Sequence, residues 1–146
     1  MYRRASKMDL DDISKLPGIN KSVDELEKYL QKGYKFLYVY ENAVNNIIGA
    51  SLFGADDIDD DSYDSEIYGI YTRNVKDKES ITAEILFDTK QELFNLGYRN
   101  LIVWCEENGK LQKYLISSGG RETKKREING KIQTAYTYTL VDMNID

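Results

Sequence analysis

EIYGIYTRNVKDKESITAEILFDTKQELFNLGYRNLIVWC, residues 66–105, is the stretch that decides the fold of this chain. It opens with a β-branched and aromatic strand at 66–72 and closes with a continuous apolar strand at 100–105. Between them, apolar residues recur at helical spacing over 80–96, and Gly97 ends the helix. Because a strand–helix–strand crossover keeps its two strands parallel, we predict that these strands are neighbours in one sheet.

The flanking segments supply the other elements of a single domain over residues 1–146. A strand at 2–5 precedes two helices, which the capping patterns Ser6-x-x-Asp9 and Ser22-x-x-Glu25 open. Strands at 34–41 and 47–54 form a hairpin. After residue 105, Asn108 caps a helix that runs to 117, and the turn at 129–130 joins two final strands. The order β-α-α-β-β-β-α-β-α-β-β predicts an α/β fold, with one mixed sheet and helices on both faces.

The composition excludes several classes of function. The chain has no histidine and one cysteine, which excludes Ser-His-Asp and Cys-His catalysis and argues against a metal site. No apolar run reaches the ~18 residues of a membrane span, and the N-terminus has no secretory signal, so we expect a cytoplasmic protein. Residues 55–66 carry six Asp and one Glu without a base, and since the net charge is −5, the rest of the chain carries −5 − (−7) = +2. That balance gives no case for nucleic-acid binding.

The order of the elements, with particular residues in them, resembles the GNAT superfamily of N-acetyltransferases over nearly the whole chain. YRRAS from Tyr2 is similar to the family's opening strand, EIYGIY from Glu66 to its fourth strand and GYRNLIVW from Gly97 to its fifth. Glu107 and Asn108 resemble the start of the next helix, and residues 121–140 the closing hairpin. The resemblance implies a GNAT-like acyl-CoA N-acyltransferase fold, in which the fourth and fifth strands splay apart at their carboxyl ends.

The resemblance also implies acetyl-coenzyme A as cosubstrate. Its pantetheine arm would lie between the splayed strands, where backbone N–H groups polarise the thioester carbonyl. Its pyrophosphate would lie at the N-terminus of the following helix, where free N–H groups and the helix dipole favour an anion. The residues implied to bind the coenzyme are Ile70, Tyr71, Thr72, Lys76, Lys78, Glu79, Ser80, Ile81, Thr82 and Asn108.

The loop before that helix departs from the family pattern, because it contains no glycine. The pattern Arg/Gln-x-x-Gly-x-Gly/Ala puts the glycine positions at Lys78, Ser80 and Thr82. A Cβ atom at these positions limits how closely the backbone approaches a phosphate and makes a positive φ costly. The hydroxyl and ammonium groups of the loop offer other contacts, so both modes of binding stay open. Replacing the three residues by glycine is expected to tighten coenzyme binding.

A second departure concerns the acid that protonates the departing thiolate. Many family members place a tyrosine seven residues after the asparagine that corresponds to Asn108, and here that position is Leu115. Tyr114 lies one residue earlier, a step that turns a helix by about 100°. We therefore expect Tyr114 to point into the core, and the thiolate to take its proton from solvent.

Glu66 is the candidate general base, since no histidine is available. Some family members hold a carboxylate at the start of the fourth strand, where it takes the amine's proton through a water molecule. The alternative is a solvated charge that continues the acidic segment 55–66. That segment could also attract a cationic amine electrostatically.

The sequence therefore predicts an acetyl-CoA-dependent N-acetyltransferase that acts on a primary amine of a small molecule or peptide by direct attack. The alternative is a degenerate GNAT-like domain that binds a ligand or protein partner without acetyl transfer. The identity of the amine and the oligomeric state stay open, with a homodimer among the options.

Overall fold

A computed structural model describes residues 1–56, 63–107 and 109–143 of the protein and shows one seven-stranded sheet. The strands are β1 (Tyr2–Arg4), β2 (Lys35–Glu41), β3 (Ile47–Ala55), β4 (Ser65–Thr72), β5 (Asn100–Glu106), β6 (Arg121–Ile128) and β7 (Lys131–Thr139). The helices are α1 (Leu10–Ser14), α2 (Val23–Gln31), α3 (Lys78–Asn95) and α4 (Lys110–Ser117). The predicted order of elements is confirmed.

The sheet is mixed, with the strand order β1-β2-β3-β4-β5-β7-β6. Only β4 and β5 are parallel, and they pair over a short length, with Ser65 opposite Leu101 and Ile67 opposite Val103. Beyond these pairs both strands continue without pairing to each other. The predicted parallel neighbours that separate at their carboxyl ends are therefore confirmed, and we call the opening between them the β4–β5 cleft.

A β-bulge in β4 lies where this pairing ends. Leu52 of β3 is opposite Gly69, but the next residue, Phe53, is opposite Ile67, so Tyr68 is the extra residue. A bulge bends its strand and interrupts the ladder. It also shifts the alternation of side chains, because Ile70 packs into the same apolar cluster as Ile67.

Helices on both faces of the sheet enclose two large cores, as predicted, and a third, smaller cluster contains Ile48, Ile81 and Ile85. Successive residues of one strand enter different cores, since Phe36 belongs to one and Leu37 to the other. The first core takes Leu86 from α3 and Leu115 from α4. The second core takes its helical residues from α1 and α2, namely Leu10, Ile13 and Leu26.

The boundaries of three helices differ from those predicted. The first predicted helix is split into a 3₁₀ turn, Lys7–Asp9, and α1. Helix α3 begins at Lys78, two residues earlier than expected. Gly109, in an extended conformation, is the N-cap of α4. The predicted cap, Asn108, lies outside the described residues.

In the part of the chain that the structure describes, no helix combines the length and the apolar character that crossing a membrane requires.

Candidate active site

A cavity of about 360 Å³ lies at the mouth of the β4–β5 cleft, between the end of β4 and the N-terminal turns of α3 and α4. Its lining includes six of the residues implied to bind the coenzyme: Ile70, Tyr71, Thr72, Lys78, Glu79 and Thr82. Helix α4 adds Lys110, Leu111 and Tyr114, and Pro17 closes one side. Residues that are far apart in sequence therefore meet where the resemblance predicts the coenzyme.

The cleft leaves one edge of β4 unpaired. After Ile67 the strand keeps β3 on one side, through pairs such as Ile70 with Ser51, but it has no paired residue in β5 on the other. Backbone groups on that edge need a partner from a ligand or water. The edge therefore offers hydrogen-bonding groups to an extended molecule that enters between the strands.

The first turn of α3 presents backbone donors at the same mouth. Lys78 N–H donates to Val75 O at 3.1 Å and Ile81 N–H donates to Asp77 O at 3.0 Å. Between them, the N–H groups of Glu79 and Ser80 have no backbone acceptor among the described residues, and the Asp77 side chain does not cap the helix. Two free donors at a helix N-terminus favour an anion.

The positions where the family has glycine fall inside α3, because the helix begins earlier than predicted. Lys78, Ser80 and Thr82 all lie inside the helix, and no residue of the segment from Arg73 to Thr82 has a positive φ. An L-residue adopts helical angles without strain, so this loop does not require the conformational freedom of glycine. The helix start therefore keeps its two free backbone N–H groups without glycine.

Side chains of this turn are held by contacts within the protein. The Thr82 and Thr72 hydroxyl oxygens are 2.9 Å apart, and the Thr82 hydroxyl donates to Lys78 O at 2.8 Å. Lys78 Nζ donates to Asn74 Oδ1 at 2.8 Å. Thr82 therefore joins β4 to α3, a role that the sequence did not predict.

Three implied coenzyme residues lie outside the lining of the cavity. The Ile81 side chain is buried against Ile48 and Ile85, so it belongs to a core cluster. Lys76 and Ser80 are exposed. Ser80 offers its free backbone N–H at the start of α3, and the implied contact through Asn108 lies outside the described residues.

Tyr114 is half-buried and packs against the first core, as expected, but it also lines the cavity, which was not expected. Leu115 takes the fully buried position, at 0% exposure. The helical phase explains this placement, because Lys110, Leu111 and Tyr114 are spaced i, i+1 and i+4 and line the cavity together. This spacing was the signal available in the sequence.

The surroundings of Tyr114 keep its hydroxyl protonated. Burial, and then the negative charge of Glu79, raise the pKa of Tyr114 above its ordinary value, although Lys113 opposes them. Lys113 Nζ lies 5.4 Å from the centre of the Tyr114 ring and 3.1 Å from Glu79 Oε1. The Lys113–Glu79 pair joins α4 to α3 across the mouth of the cavity.

Glu66 lies in β4 before the bulge, on the sheet face opposite α3. Its neighbour Ile67 enters the first core, and successive strand residues point to opposite faces. Glu66 is only 8% exposed, so the alternative of a solvated strand-end charge is wrong. Glu66 is therefore a buried carboxylate in the strand that borders the cleft.

Trp104 and Arg126 form a wall on the same face as Glu66. The Arg126 guanidinium carbon lies 4.0 Å from the centre of a Trp104 ring, and Arg126 Nε donates to Gln133 Oε1 at 2.8 Å. Burial lowers the pKa of Arg126, while the charges of Glu66 and Asp56 oppose this shift. The guanidinium is thus an electrostatic neighbour of Glu66, and no local sequence pattern predicts this proximity.

Among the residues that the structure describes, no three Cys, Asp or Glu side chains are grouped so that they could hold a metal ion.

Known proteins match this chain by structure and not by sequence. No protein-family model matches the chain, and no curated protein sequence matches it. Solved structures match over nearly the full length. An N-acetyltransferase from Staphylococcus aureus Mu50 is 20% identical with a TM-score of 0.78, covering 97% of this chain and 98% of its own.

Two further matching structures are of N-acetyltransferases whose names state the amine that is acetylated. The aminoglycoside 6'-N-acetyltransferase from Enterococcus faecium is 10% identical with a TM-score of 0.76, covering 97% of each chain. A mutant spermidine/spermine N-acetyltransferase from Vibrio cholerae is 17% identical with a TM-score of 0.76, covering 96% of this chain and 94% of its own. At these identities the likeness concerns the fold, and the chain therefore has the fold of the GNAT N-acetyltransferases.

Proposed function

We propose that the protein is a cytoplasmic N-acetyltransferase that moves the acetyl group of acetyl-coenzyme A to a primary amine of a small molecule or peptide. The observation that carries the proposal is the cavity at the mouth of the β4–β5 cleft, where the unpaired edge of β4 meets the free N–H groups of α3. The fold of the solved N-acetyltransferases supports acetyl transfer in general.

The residues at the cleft fit the chemistry of the coenzyme. The N–H groups of Glu79 and Ser80 supply hydrogen bonds for its pyrophosphate, and Lys78 and Lys110 supply positive charge at the cavity. The Glu79 carboxylate would repel a phosphate, but it is paired with Lys113. The unpaired edge of β4 from Ile70 to Thr72 supplies donors for the pantetheine arm and the thioester carbonyl.

Acetyl transfer then needs one proton acceptor and one proton donor. The amine nitrogen attacks the thioester carbon, and its proton passes to Glu66 through a water molecule. Backbone N–H groups of β4 stabilise the oxyanion while the carbon–sulfur bond breaks. Tyr114 donates its hydroxyl proton to the departing thiolate, because it lines the cavity and its raised pKa keeps it protonated.

The acceptor amine would approach on the face of the sheet that carries Glu66, beside the wall of Trp104 and Arg126. Asp56 and Glu66 contribute negative charge near this wall. The neighbouring acidic segment, residues 57–62, is rich in Asp but lies outside the described residues. Its charge favours the encounter with a cationic amine.

Two measurements test the proposal. Calorimetric titration with acetyl-coenzyme A should give saturable binding. Thiol release should then be followed with polyamines, aminoglycosides, amino acids and peptide amines as acceptors. On any accepted amine, Glu66→Gln is expected to lower kcat at pH 7 by about 10² or more, the contribution of a positioned general base.

Glu127→Gln is the matched control, since Glu127 is an exposed carboxylate on β6 and should leave the rate unchanged. Equal rates in wild type and Glu66→Gln would remove Glu66 from the mechanism. Absence of coenzyme binding by the folded protein would contradict the enzymatic function itself. Tight coenzyme binding that survives an exhaustive acceptor panel without thiol release would favour the alternative, a domain that binds without transfer.

A further inference from the structure

A second cavity, of about 590 Å³, lies at the other end of the helices from the β4–β5 cleft. The C-terminal turn of α4, the start of β6 and the end of β7 surround it, through residues that include Lys90, Ser118, Arg121, Thr137, Tyr138 and Thr139. We call it the Lys90 cavity. Its volume falls within the ~300–1,000 Å³ of pockets that hold small molecules. Lys90 and Thr82 are eight residues apart on α3, so the two cavities are separated by roughly 12 Å along the helix.

Lys90 is the unusual residue of this cavity, because it is buried and has no carboxylate partner among the residues that the structure describes. It is only 7% exposed. Its ammonium group donates to Ser118 O over a long 3.5 Å and lies 4.6 Å from the centre of the Tyr138 ring. Burial alone lowers the pKa of Lys90, without an opposing charge. Buried charges in proteins are ordinarily paired, since an unpaired ion loses its hydration without compensation.

The two described carboxylates that are next in sequence to lining residues of the cavity form hydrogen bonds elsewhere. Asp64 accepts hydrogen bonds from the backbone N–H groups of Arg99 and Asn100, at 2.9 and 3.0 Å. Asp142 accepts from Gln91 Nε2 at 3.2 Å. Neither forms an ion pair with Lys90 within the ranges that the structure covers. The described wall therefore leaves the ammonium charge without an anion.

The rest of the wall adds groups that recognise an oxyanion. Arg121 contributes a second cation, and the Thr139 hydroxyl contributes a donor. The Thr137 hydroxyl donates to Arg121 O over a long 3.4 Å and can exchange this bond for one to a ligand. Leu140, Val141 and Met143 add an apolar side. Two cations, hydroxyl donors and an apolar side together match a small molecule with an anionic head and a short apolar tail.

We propose that the Lys90 cavity is a second ligand site, which binds a small molecule through a carboxylate or phosphate head held by Lys90 and Arg121. The site does not depend on acetyl transfer, since it shares no lining residue with the coenzyme cavity. Because α3 and α4 border both cavities, an occupant here contacts the same two helices that hold the coenzyme.

The alternative explanation for Lys90 is structural: it acts only as a cation at the C-terminus of α4, where the helix dipole favours positive charge. The two explanations predict different results for Lys90→Met. As a structural cation, Lys90 should be required for stability, and anions should have no specific effect. As a ligand group, Lys90 should be dispensable for folding and required for anion binding.

The test is a ¹H–¹⁵N NMR titration of the full chain with two probes, inorganic phosphate and hexanoate, at constant ionic strength. It is performed in the presence of saturating coenzyme A, so that the N-terminus of α3 does not compete for the probes. At least one probe should shift the amides of Gly119, Thr137 and Thr139 in a saturable manner. Phosphate alone would identify a phosphate-bearing ligand, and hexanoate alone a carboxylate with an apolar tail.

Variants of Lys90 and Arg121 then show whether the probe binds in the Lys90 cavity. Lys90→Met should weaken binding of that probe tenfold or more, Arg121→Gln should weaken it severalfold, and Lys15→Met, an exposed lysine paired with Asp11, should leave it unchanged. If Lys90→Met does not fold, Arg121→Gln still decides, because Arg121 is exposed. Shifts that are equal in all variants, or confined to the N-terminal turn of α3, would overturn the proposal.

Discussion

Tyr114 lines the cavity at the mouth of the β4–β5 cleft, and no described residue forms a hydrogen bond with its hydroxyl. If this hydroxyl protonates the thiolate, Tyr114→Phe should lower kcat by about 10², with little change in the affinity for acetyl-coenzyme A. Steady-state thiol release and calorimetry measure the two quantities. Tyr34→Phe is the control, because Tyr34 is half-exposed and remote from the cleft. An unchanged rate in Tyr114→Phe would mean that solvent supplies the proton.

Gly69 permits the position of Tyr71, another wall of the cavity. A Cβ atom at Gly69 would collide with the Tyr71 hydroxyl and would lie 2.6 Å from its Cζ atom. Gly69→Ala should therefore displace the Tyr71 ring and weaken acetyl-coenzyme A binding about tenfold, as judged by calorimetry. At Gly33 a Cβ atom meets nothing within 4 Å, so Gly33→Ala should bind normally. Full affinity in Gly69→Ala would show that the Tyr71 ring does not shape the site.

At the scale of elements, the start of α3 reverses one expectation from the sequence. Lys78, Ser80 and Thr82 are helical, and a glycine within a helix costs about 1 kcal/mol relative to alanine. The triple glycine variant should therefore lower the free energy of unfolding by about 2–3 kcal/mol and weaken, rather than tighten, coenzyme binding. Urea unfolding and calorimetry measure both effects. The triple alanine variant is the control, because alanine keeps the helix. Tighter coenzyme binding in the glycine variant, but not in the alanine variant, would show that close approach of the backbone to the phosphate determines affinity.

The elements that the sequence predicted correctly are those with strong periodicity. Helix α3 and strand β5 follow from the spacing of Ile81, Ile85 and Leu93 and from the apolar run before Cys105, and they fix the parallel crossover. The bulge at Tyr68 could not be predicted, because EIYGIYT alternates equally well in either register. The phase of α4 was missed because the family asparagine suggested a different reference point from the observed N-cap, Gly109. Contacts between distant segments, such as Arg126 over Trp104, leave no local pattern.

At the scale of the whole molecule, an ion-pair network centred on Arg3 joins β1 to the 3₁₀ turn through Asp9 and to β2 through Glu41. Arg3 donates to both Asp9 carboxylate oxygens, at 2.8 and 2.9 Å, and also to Glu41. The hydrogen bonds from Arg3, the largest cause, lower the pKa of Asp9 from 3.8 to about 2. β1 is only three residues long, so side chains must secure it against the rest of the sheet.

This network predicts how stability depends on pH. The folded-state pKa of Asp9 lies below its unfolded value, so its contribution is complete above about pH 4 and is lost as the pH falls towards 2, by roughly 2 kcal/mol in total. Urea unfolding between pH 5 and pH 2 should show this loss in wild type. In Arg3→Met the loss from Asp9 should be smaller, whereas Lys15→Met, which removes an exposed ion pair, should follow the wild-type curve. Parallel curves for Arg3→Met and wild type would contradict the assignment.

The bulge in β4 has a consequence for how such chains can change over generations. Because Tyr68 is an extra residue in β4, every side chain after it points to the opposite face of the sheet from the face that plain alternation would assign. Loss of a single codon here would leave Ile70, Tyr71 and Thr72 opposite the same β3 residues and on the same faces of the sheet. It would, however, remove the bulge that bends β4 and interrupts its ladder, and so let the pairing between β4 and β5 continue towards their carboxyl ends. Length is therefore constrained in this strand more tightly than residue identity, and single-residue insertions and deletions should be purged there while substitutions accumulate.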